Sequence, residues 1–281
     1  MLMFVLIGAT GTVGRQVMDL LLRRGAEIAA VTRDPAARLP DGVRPVVGDP
    51  SRPDTLTDWP RRTGGVLLSP RAAGRATGEL LALGAARGAE RAVVLSSATV
   101  RHPAGHRRFV EEFKAVEEAV RLSGTPWTFL RCADFDANAL AWAPQIRAGG
   151  VVRGAHPGAT TSPLHERDIA EVAVRALTED GLAGRAPVLT GPDPLDQRDK
   201  VRLIGAAVGR TLRFEDVSPA RVRQTMLAQG LPEDVPDRLL GSLADHAVEA
   251  GPATRTVEQL LGHPARSFAT WAVENAAAFA G

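Results

Sequence analysis

The feature that most constrains the fold is a glycine-rich turn near the start of the sequence, Gly8-Ala-Thr-Gly11-Thr-Val-Gly14. It follows an apolar run at 4–7, predicted as a buried strand, and opens a helix predicted over 13–24. The first glycine permits a tight turn, the second lets the backbone approach a pyrophosphate, and the third lets helix and strand pack closely. The amino end of the helix then offers unpaired N–H groups and a positive dipole end. The alternative is a tight turn that binds nothing. The phosphate site predicted here comprises Gly8, Thr10, Gly11, Thr12, Val13 and Gly14.

Short apolar runs then alternate with helical patterns. Further strands are predicted at 28–32, 44–47, 65–68, 92–95, 127–130 and 187–189, and further helices at 72–87, 107–122 and 169–177. This alternation predicts an α/β fold with a doubly wound parallel sheet of the Rossmann type. Beyond about residue 190 the pattern becomes helix-rich, with one more strand predicted at 212–217. We expect a single domain over 1–281, with its core at about 1–190 and a C-terminal substrate lobe at about 191–281 that caps the sheet.

Composition excludes several classes of protein. Basic residues exceed acidic ones by 34 − 32 = 2, so no nucleic-acid surface is expected. The single cysteine, Cys132, rules out an internal disulfide and a cysteine-based zinc site, and no metal site is predicted. The apolar start lacks the features of a signal peptide, and no run reaches the roughly 20 apolar residues of a membrane span. We therefore expect a cytoplasmic protein with a small-molecule substrate; its oligomeric state is left open.

The end of the second predicted strand bears on the choice of cofactor. A carboxylate there binds the ribose hydroxyls of NAD, whereas a cation favours the 2′-phosphate of NADP. Here Arg33 is followed by Asp34. Arg33 can bind a phosphate in bidentate fashion, so NADP(H) is favoured. In the alternative, Arg33 is a solvated loop charge and Asp34 binds the ribose hydroxyls. The cofactor would then be NAD(H).

Several motifs together resemble the NmrA-like, atypical branch of the short-chain dehydrogenase/reductase superfamily over nearly the whole chain. Besides the turn they are Val-Thr-Arg-Asp-Pro at 31–35, Val-Val-Gly-Asp at 46–49, Val-Leu-Ser-Ser at 94–97, Pro-Trp-Thr-Phe-Leu-Arg at 126–131, Leu-His-Glu-Arg-Asp-Ile-Ala at 164–170 and Leu-Thr-Gly-Pro at 189–192. The resemblance implies an NAD(P)-binding domain in which Asp49 lies near the adenine. It also implies that Ser69 and Ser97 border the ribose and nicotinamide, and that Lys114 contacts the ribose or assists proton transfer.

The sequence departs from that superfamily at two positions. Ordinary members use a Tyr-x-x-x-Lys pair, but Val110 stands four residues before Lys114 and the chain contains no tyrosine. Many related sequences have proline after the arginine of the sixth strand, where this chain has Cys132. The catalytic acid is therefore another group, or the substrate needs none.

Each further candidate has a structural alternative. Lys114 can instead pair with Glu118, and His106, in a loop with His102, can be a proton donor or simply solvated. Phe135, Asn138 and Trp142 are predicted to form a substrate wall, although packing would explain them equally well. Asp168 is predicted as a helix N-cap in a capping box with Glu171. Cys132 is interpreted as a small buried thiol rather than a nucleophile.

The function predicted is an NAD(P)H-dependent oxidoreductase of the atypical short-chain type. Its substrate would be small and aromatic or quinone-like, as in aromatic polyketide tailoring, because such acceptors delocalise added electrons and depend less on a tyrosine. The alternatives are a tailoring monooxygenase acting on anthrones or phenols, and a non-catalytic NADP redox sensor. A sugar-nucleotide epimerase ranks third because that chemistry relies on the tyrosine.

Overall fold

A computed structural model describes residues 3–280. The strands are β1 (Met3–Ile7), β2 (Glu27–Thr32), β3 (Val43–Val47), β4 (Thr63–Leu68), β5 (Ala92–Ser97), β6 (Trp127–Cys132), β7 (Val151–Gly154), β8 (Val188–Leu189) and β9 (Arg213–Asp216). The α-helices are α1 (Thr12–Arg23), α2 (Pro70–Ala73), α3 (Thr77–Ala86), α4 (Arg107–Leu122), α5 (Ala143–Gly149), α6 (Glu166–Thr178), α7 (Gln197–Ala207), α8 (Pro219–Ala228), α9 (Asp234–Val248), α10 (Thr256–Leu261), α11 (Phe268–Glu274) and α12 (Ala276–Phe279).

Within the described residues the main sheet has seven strands in the order β3-β2-β1-β4-β5-β6-β8. The pairs β2·β3, β1·β2, β1·β4 and β4·β5 are all parallel. Strand order reverses at β1, as in a doubly wound sheet, and the ligand side of such a sheet is its carboxyl edge. The predicted fold class is confirmed. None of the helices in the described part of the chain is long and apolar enough to cross a membrane.

The chain forms two compact units that alternate along the sequence. Unit 1 comprises Met1–Ser97, Glu112–Arg131 and Glu166–Pro187, and unit 2 comprises Ala98–Glu111, Cys132–His165 and Val188–Gly281. The core of unit 1 forms from buried strand residues such as Val5 and Val66 together with Leu80 of α3. The core of unit 2 combines aliphatic residues such as Ile146 and Ile204 with an aromatic cluster of Phe268, Trp271 and Phe279. The prediction that the whole chain acts as one domain stays a prediction.

Local capping explains several boundaries. Ser218 caps α8 by accepting the Arg221 N–H, with Pro219 at the first helical position. Gly230 adopts a φ of +83° just after that helix ends. The strand predicted at 212–217 is confirmed as β9, and it pairs in parallel with β7, which the sequence did not predict. Both strands lie in unit 2 and form a separate two-stranded sheet.

Two local predictions are wrong. The single helix expected over 72–87 is divided into α2, a 3-10 turn and α3, because Gly74 adopts φ +56° and ψ −129°, which no α-helix contains. Asp168 is not an N-cap: α6 begins at Glu166, so Asp168 lies inside its first turn and is buried. A negative charge there still complements the helix dipole. Glu171 accepts a hydrogen bond from Arg167 Nε at 3.3 Å and does not complete a capping box.

Candidate functional site

The glycine-rich turn connects β1 to α1 in unit 1, and its geometry explains two of its glycines. Gly8 has a φ of +92°, and a Cβ added to it would lie 2.7 Å from the Cβ of Ser69. A Cβ on Gly14 would overlap the carbonyl oxygen of Gly8. The Gly11 N–H donates to that same carbonyl at 3.0 Å, which closes the turn. A side chain at Gly8 would therefore prevent the close contact between the turn and Ser69. A side chain at Gly14 would prevent the close contact between the start of α1 and the turn.

The start of α1 is suited to an anion. Gly11 is the N-cap residue, and it contributes no side-chain cap to the first N–H groups. The first turn contains no acidic side chain. Thr10, Gly11 and Thr12 are exposed, whereas Val13 is buried beneath them. The exposed backbone of a positive helix end suits a phosphate, so this turn fits the pyrophosphate of a dinucleotide.

Two carboxylates, one just after β2 and one just after β3, accept hydrogen bonds within local turns. Asp34 accepts a hydrogen bond from the Ala36 N–H at 2.8 Å. Asp49 accepts the Ser51 N–H at 2.9 Å and the Ser51 hydroxyl at 2.8 Å. Those two bonds, followed by the charges of Arg52 and Arg33, lower the pKa of Asp49 against the opposing effect of desolvation.

Arg33 is exposed at the end of β2. Its charge acts on the Asp49 carboxylate, so the two residues lie near each other. Asp34 is fixed by its own turn, and this local geometry favours Arg33 over Asp34 as the group that recognises the adenosine ribose. The arrangement therefore suits a 2′-phosphate better than a 2′-hydroxyl.

The remaining cofactor candidates of unit 1 lie at the carboxyl ends of β4 and β5 and on the next helix. The Ser69 N–H donates to Ile7 O at 3.0 Å, which fixes Ser69 against the glycine turn. Ser97 is the last residue of β5 and is half-buried, and Lys114 is exposed on α4. The structure thus brings Ser69 together with Gly8, while Ser97 and Lys114 lie on consecutive elements of the same unit.

Sequence reasoning missed a buried ion pair next to these residues. Glu117 of α4, only 1% exposed, accepts hydrogen bonds from Arg131 Nε at 2.9 Å and Nη2 at 2.6 Å. It also accepts the Ser96 hydroxyl at 2.7 Å and Arg121 Nη2 at 2.9 Å. Burial raises the pKa of Glu117, but the hydrogen bonds from Arg131 and Ser96 outweigh that effect and lower it overall.

A signal for this pair was present in the sequence. Glu117 lies on the apolar stripe of α4, four residues after Phe113 and three before Val120. Arg131 directly follows three buried residues, 128–130, of the same strand. An acid and a base at two inward-facing positions predict that they pair, because a lone buried charge is costly.

In unit 2, His106 stands just before α4. Its Nδ1 accepts the Arg108 N–H at 3.2 Å, and its ring is exposed. The adjoining Gly105 N–H donates to Asp245 Oδ2 at 2.6 Å, which anchors the loop to α9. Because Nδ1 is an acceptor here, the neutral ring carries its proton on Nε2. His106 is thus a helix-capping residue whose other nitrogen remains available as a donor.

The three substrate candidates of unit 2 differ in their surroundings. Phe135 is half-buried and precedes a 3-10 turn, and its carbonyl accepts the Asn138 N–H at 3.0 Å. Trp142 lies edge-on to Phe214, with ring centroids 6.5 Å apart, against the core of unit 2. Trp142 therefore has a packing role, whereas Asn138 is exposed. That these three residues form a substrate wall stays a prediction.

Cys132 is buried, and burial raises the pKa of its thiol far above the ordinary value. A nucleophilic cysteine needs a lowered pKa, so the interpretation of Cys132 as a small buried thiol is confirmed.

Comparisons with known proteins identify the family of this chain. A model of the NAD(P)H-binding family matches residues 8–180, which contain the turn, Arg33, the strand ends and Lys114. A (4-alkanoyl-5-oxo-2,5-dihydrofuran-3-yl)methyl phosphate reductase of Streptomyces griseus is 35% identical, covering 99% of each chain. An NAD(P)H azoreductase of Xenophilus azovorans is 32% identical, again covering 99% of each chain.

Among solved structures, an NADPH-dependent quinone oxidoreductase of Escherichia coli superposes with a TM-score of 0.81. It is 22% identical, and the match covers 97% of this chain and 99% of that one. The fold and the glycine turn define a dinucleotide-binding α/β protein, and its relatives place it among the NAD(P)-dependent oxidoreductases. More specifically, the chain belongs to the NAD(P)H-binding family, in its NmrA-like, atypical short-chain dehydrogenase/reductase branch.

Proposed function

We propose that this protein is an NADPH-dependent reductase of small conjugated acceptors of the quinone type. The observation that carries the cofactor preference is the arrangement at the adenosine end of the site. Asp34 and Asp49 are held in local turns, while Arg33 stands exposed at the end of β2.

The residues of unit 1 divide the binding of the dinucleotide among them. Backbone N–H groups between Gly8 and Gly14 hold the pyrophosphate, and Arg33 holds the 2′-phosphate. Asp49 borders the adenine, and Ser69 and Ser97 border the ribose and nicotinamide. Lys114 contacts the ribose. The bound cofactor, when reduced, supplies a hydride.

The acceptor class follows from what three related proteins act on. The names of the two sequence relatives and of the structural neighbour specify an acyl dihydrofuranone that carries a methyl phosphate, an azo compound and a quinone. Each contains a conjugated double bond that becomes a delocalised anion after hydride addition. A site without tyrosine suits such an acceptor, because delocalisation reduces the need for a strong acid at the reacting atom. An aromatic polyketide intermediate belongs to the same chemical class.

The test begins with purified protein titrated with NADPH, NADP⁺, NADH and NAD⁺. A panel of quinones, azo dyes and unsaturated lactones then follows, monitored for NADPH oxidation and for oxygen uptake. We expect tighter binding of the phosphorylated cofactors and NADPH-dependent turnover. Oxygen uptake without nucleotide consumption would contradict the proposal and assign an oxygenase. Tight binding of one redox form with no turnover across the panel would instead assign a redox sensor.

A further inference from the structure

A second arginine, Arg52, lies beside the carboxylate that neighbours Arg33. Its Nε stands 3.9 Å from Asp49 Oδ2, and its side chain is 70% exposed. The other oxygen of that carboxylate, Oδ1, accepts both hydrogen bonds from Ser51. Asp49 thus presents one oxygen to its own turn and the other to Arg52. All of these residues belong to unit 1.

The pairing of β2 with β3 brings Arg33 to the same place. The two strands are parallel, and the Gly48 N–H donates to Thr32 O at 2.9 Å just beyond the last pair of the ladder. Arg33 therefore lies across from Gly48, one position before Asp49. Adjacent strands are about 4.8 Å apart, so two arginines, Arg33 and Arg52, flank one carboxylate.

The backbone that carries Arg52 is fixed by hydrogen bonds within its own turn. The Arg52 N–H donates to Asp49 O at 2.8 Å, and Arg52 O accepts the Thr55 N–H at 3.0 Å and the Thr55 hydroxyl at 2.7 Å. The Asp49 N–H in turn donates to Thr55 Oγ1 at 2.8 Å. A ligand that binds Arg52 has to order only the exposed side chain, which lowers the entropic cost of binding.

The contact between Arg52 and Asp49 does not commit the guanidinium. A distance of 3.9 Å is too long for a hydrogen bond, and an exposed ion pair contributes little because water and salt screen it. A guanidinium has several N–H donors in a planar fork that matches a phosphate. Arg52 can therefore leave Asp49 for a phosphate without losing a strong interaction.

The charge balance at this point also calls for a second cation. Asp49 alone would oppose the binding of an anion next to Arg33, because like charges repel. Arg52 compensates for the charge of Asp49. A phosphate monoester carries about two negative charges at pH 7, so it can accept charge-assisted hydrogen bonds from two guanidinium groups.

We propose that Arg52 is a second ligand of the cofactor's 2′-phosphate, and that it exchanges Asp49 for this phosphate when NADPH binds. This inference rests on the proposed function, which assigns the 2′-phosphate to Arg33. Arg33 comes from the end of β2 and Arg52 from the turn after β3, while Ser51 continues to hold Asp49. NADH lacks the phosphate and leaves Arg52 beside Asp49.

Calorimetric titration of Arg52→Ala with NADPH and with NADH tests the proposal, because the two cofactors differ only in the 2′-phosphate. We expect the dissociation constant for NADPH to rise by about 10-fold and that for NADH to stay unchanged. Arg23→Ala is the matched control, since Arg23 is 65% exposed and pairs with Asp19 of its own helix. The control should bind both cofactors as the unaltered protein does.

The double variant Arg33→Ala/Arg52→Ala shows whether the two arginines share the phosphate. Each single variant should keep part of the preference for NADPH, and the double variant should bind NADPH and NADH equally. A spectrum of the ¹⁵N-labelled arginine Nε–H groups provides a direct view. The signal that is missing in Arg52→Ala should move when NADPH is added to the unaltered protein and stay in place with NADH.

Three results would overturn the inference. One is an unchanged affinity of Arg52→Ala for NADPH. Another is an equal loss of affinity for NADPH and NADH, which would assign Arg52 to the adenine instead. The third is an Arg52 Nε–H signal that NADPH does not move, since Arg52 would then act only as a counter-charge to Asp49. An unaltered protein that binds neither cofactor, or that prefers NADH, is a different result, because it removes the proposed function itself.

Discussion

Arg131, near the carboxyl end of β6, forms a bidentate ion pair with Glu117 in the middle of α4. The Nε–Oε1 distance is 2.9 Å and the Nη2–Oε2 distance is 2.6 Å. The Ser96 hydroxyl, near the end of β5, donates to the same carboxylate. One buried acid therefore connects two strand ends to the helix that carries Lys114.

Replacement of Glu117 by glutamine should destabilise the protein. It leaves the guanidinium of Arg131, only 15% exposed, without its charge partner. We expect the free energy of unfolding to fall by about 3 kcal/mol. Denaturant unfolding measures this, with Glu118→Gln as the control, since Glu118 is 61% exposed on the same helix. Equal losses in the two variants would show that burial of the pair does not matter.

The stability should also depend on pH through the same carboxyl. The pKa of Glu117 in the folded protein lies below its ordinary value of 4.5. Its contribution is therefore fully present above 4.5 and is lost as the pH falls through the lower folded-state pKa. The stability difference between the unaltered protein and Glu117→Gln should stay constant near neutral pH and shrink in acid. A stability difference that grows on acidification would show that folding raises the pKa of Glu117 instead of lowering it.

Arg33→Ala should weaken the binding of NADPH but not of NADH. Loss of charge-assisted hydrogen bonds to the 2′-phosphate is expected to raise the dissociation constant for NADPH by about 10- to 100-fold. Calorimetric titration with both cofactors provides the measurement. Arg38→Ala, an exposed arginine of the same segment, is the control. Parallel weakening of NADPH and NADH would count against a 2′-phosphate contact.

Lys114→Ala should reduce the affinity for NADPH and the turnover with a quinone. The expected change is modest because the exposed ammonium would supply one contact to the ribose, on the order of 1 kcal/mol. Glu118→Ala on the same helix is the control, and fluorescence titration with steady-state kinetics reports both quantities. Unchanged affinity and turnover would remove Lys114 from the site.

Gly14→Ala should damage the turn itself. The added methyl group overlaps the Gly8 carbonyl oxygen, so the turn must move, at a cost of about 1–3 kcal/mol in the free energy of unfolding. NADPH binding should be lost at the same time. Gly149→Ala is the matched control, because a Cβ there meets nothing within 4 Å. Normal binding by Gly14→Ala would separate the glycine turn from cofactor recognition.

Local patterns predicted much of the fold. The strand at 4–7, the turn and the helix that follows were recoverable because apolar periodicity and glycine placement are properties of adjacent residues. The divided α2–α3 segment was not recoverable, since it depends on the conformation that one residue, Gly74, adopts. Strand β7 was also missed, because a strand of four residues is defined by its partner β9, some 60 residues away.

The candidate site likewise contains some residues that the sequence could predict and others that it could not. The glycines of the turn and Arg33 could be predicted because they occupy defined positions relative to a strand–turn–helix unit. The Glu117–Arg131 pair joins residues 14 positions apart on different elements. Spacing along the chain cannot show which inward-facing charges meet across different elements.

The alternation of the two units along the sequence has a consequence for any attempt to dissect the protein. Unit 2 draws on 98–111 and 132–165 as well as on the residues from 188 onward. A gene fragment that stops near residue 190 would therefore encode two segments deprived of most of the unit with which they fold. No single cut in the polypeptide yields both halves intact. Work on either unit alone calls for a redesigned connectivity, in which short linkers replace the excised segments.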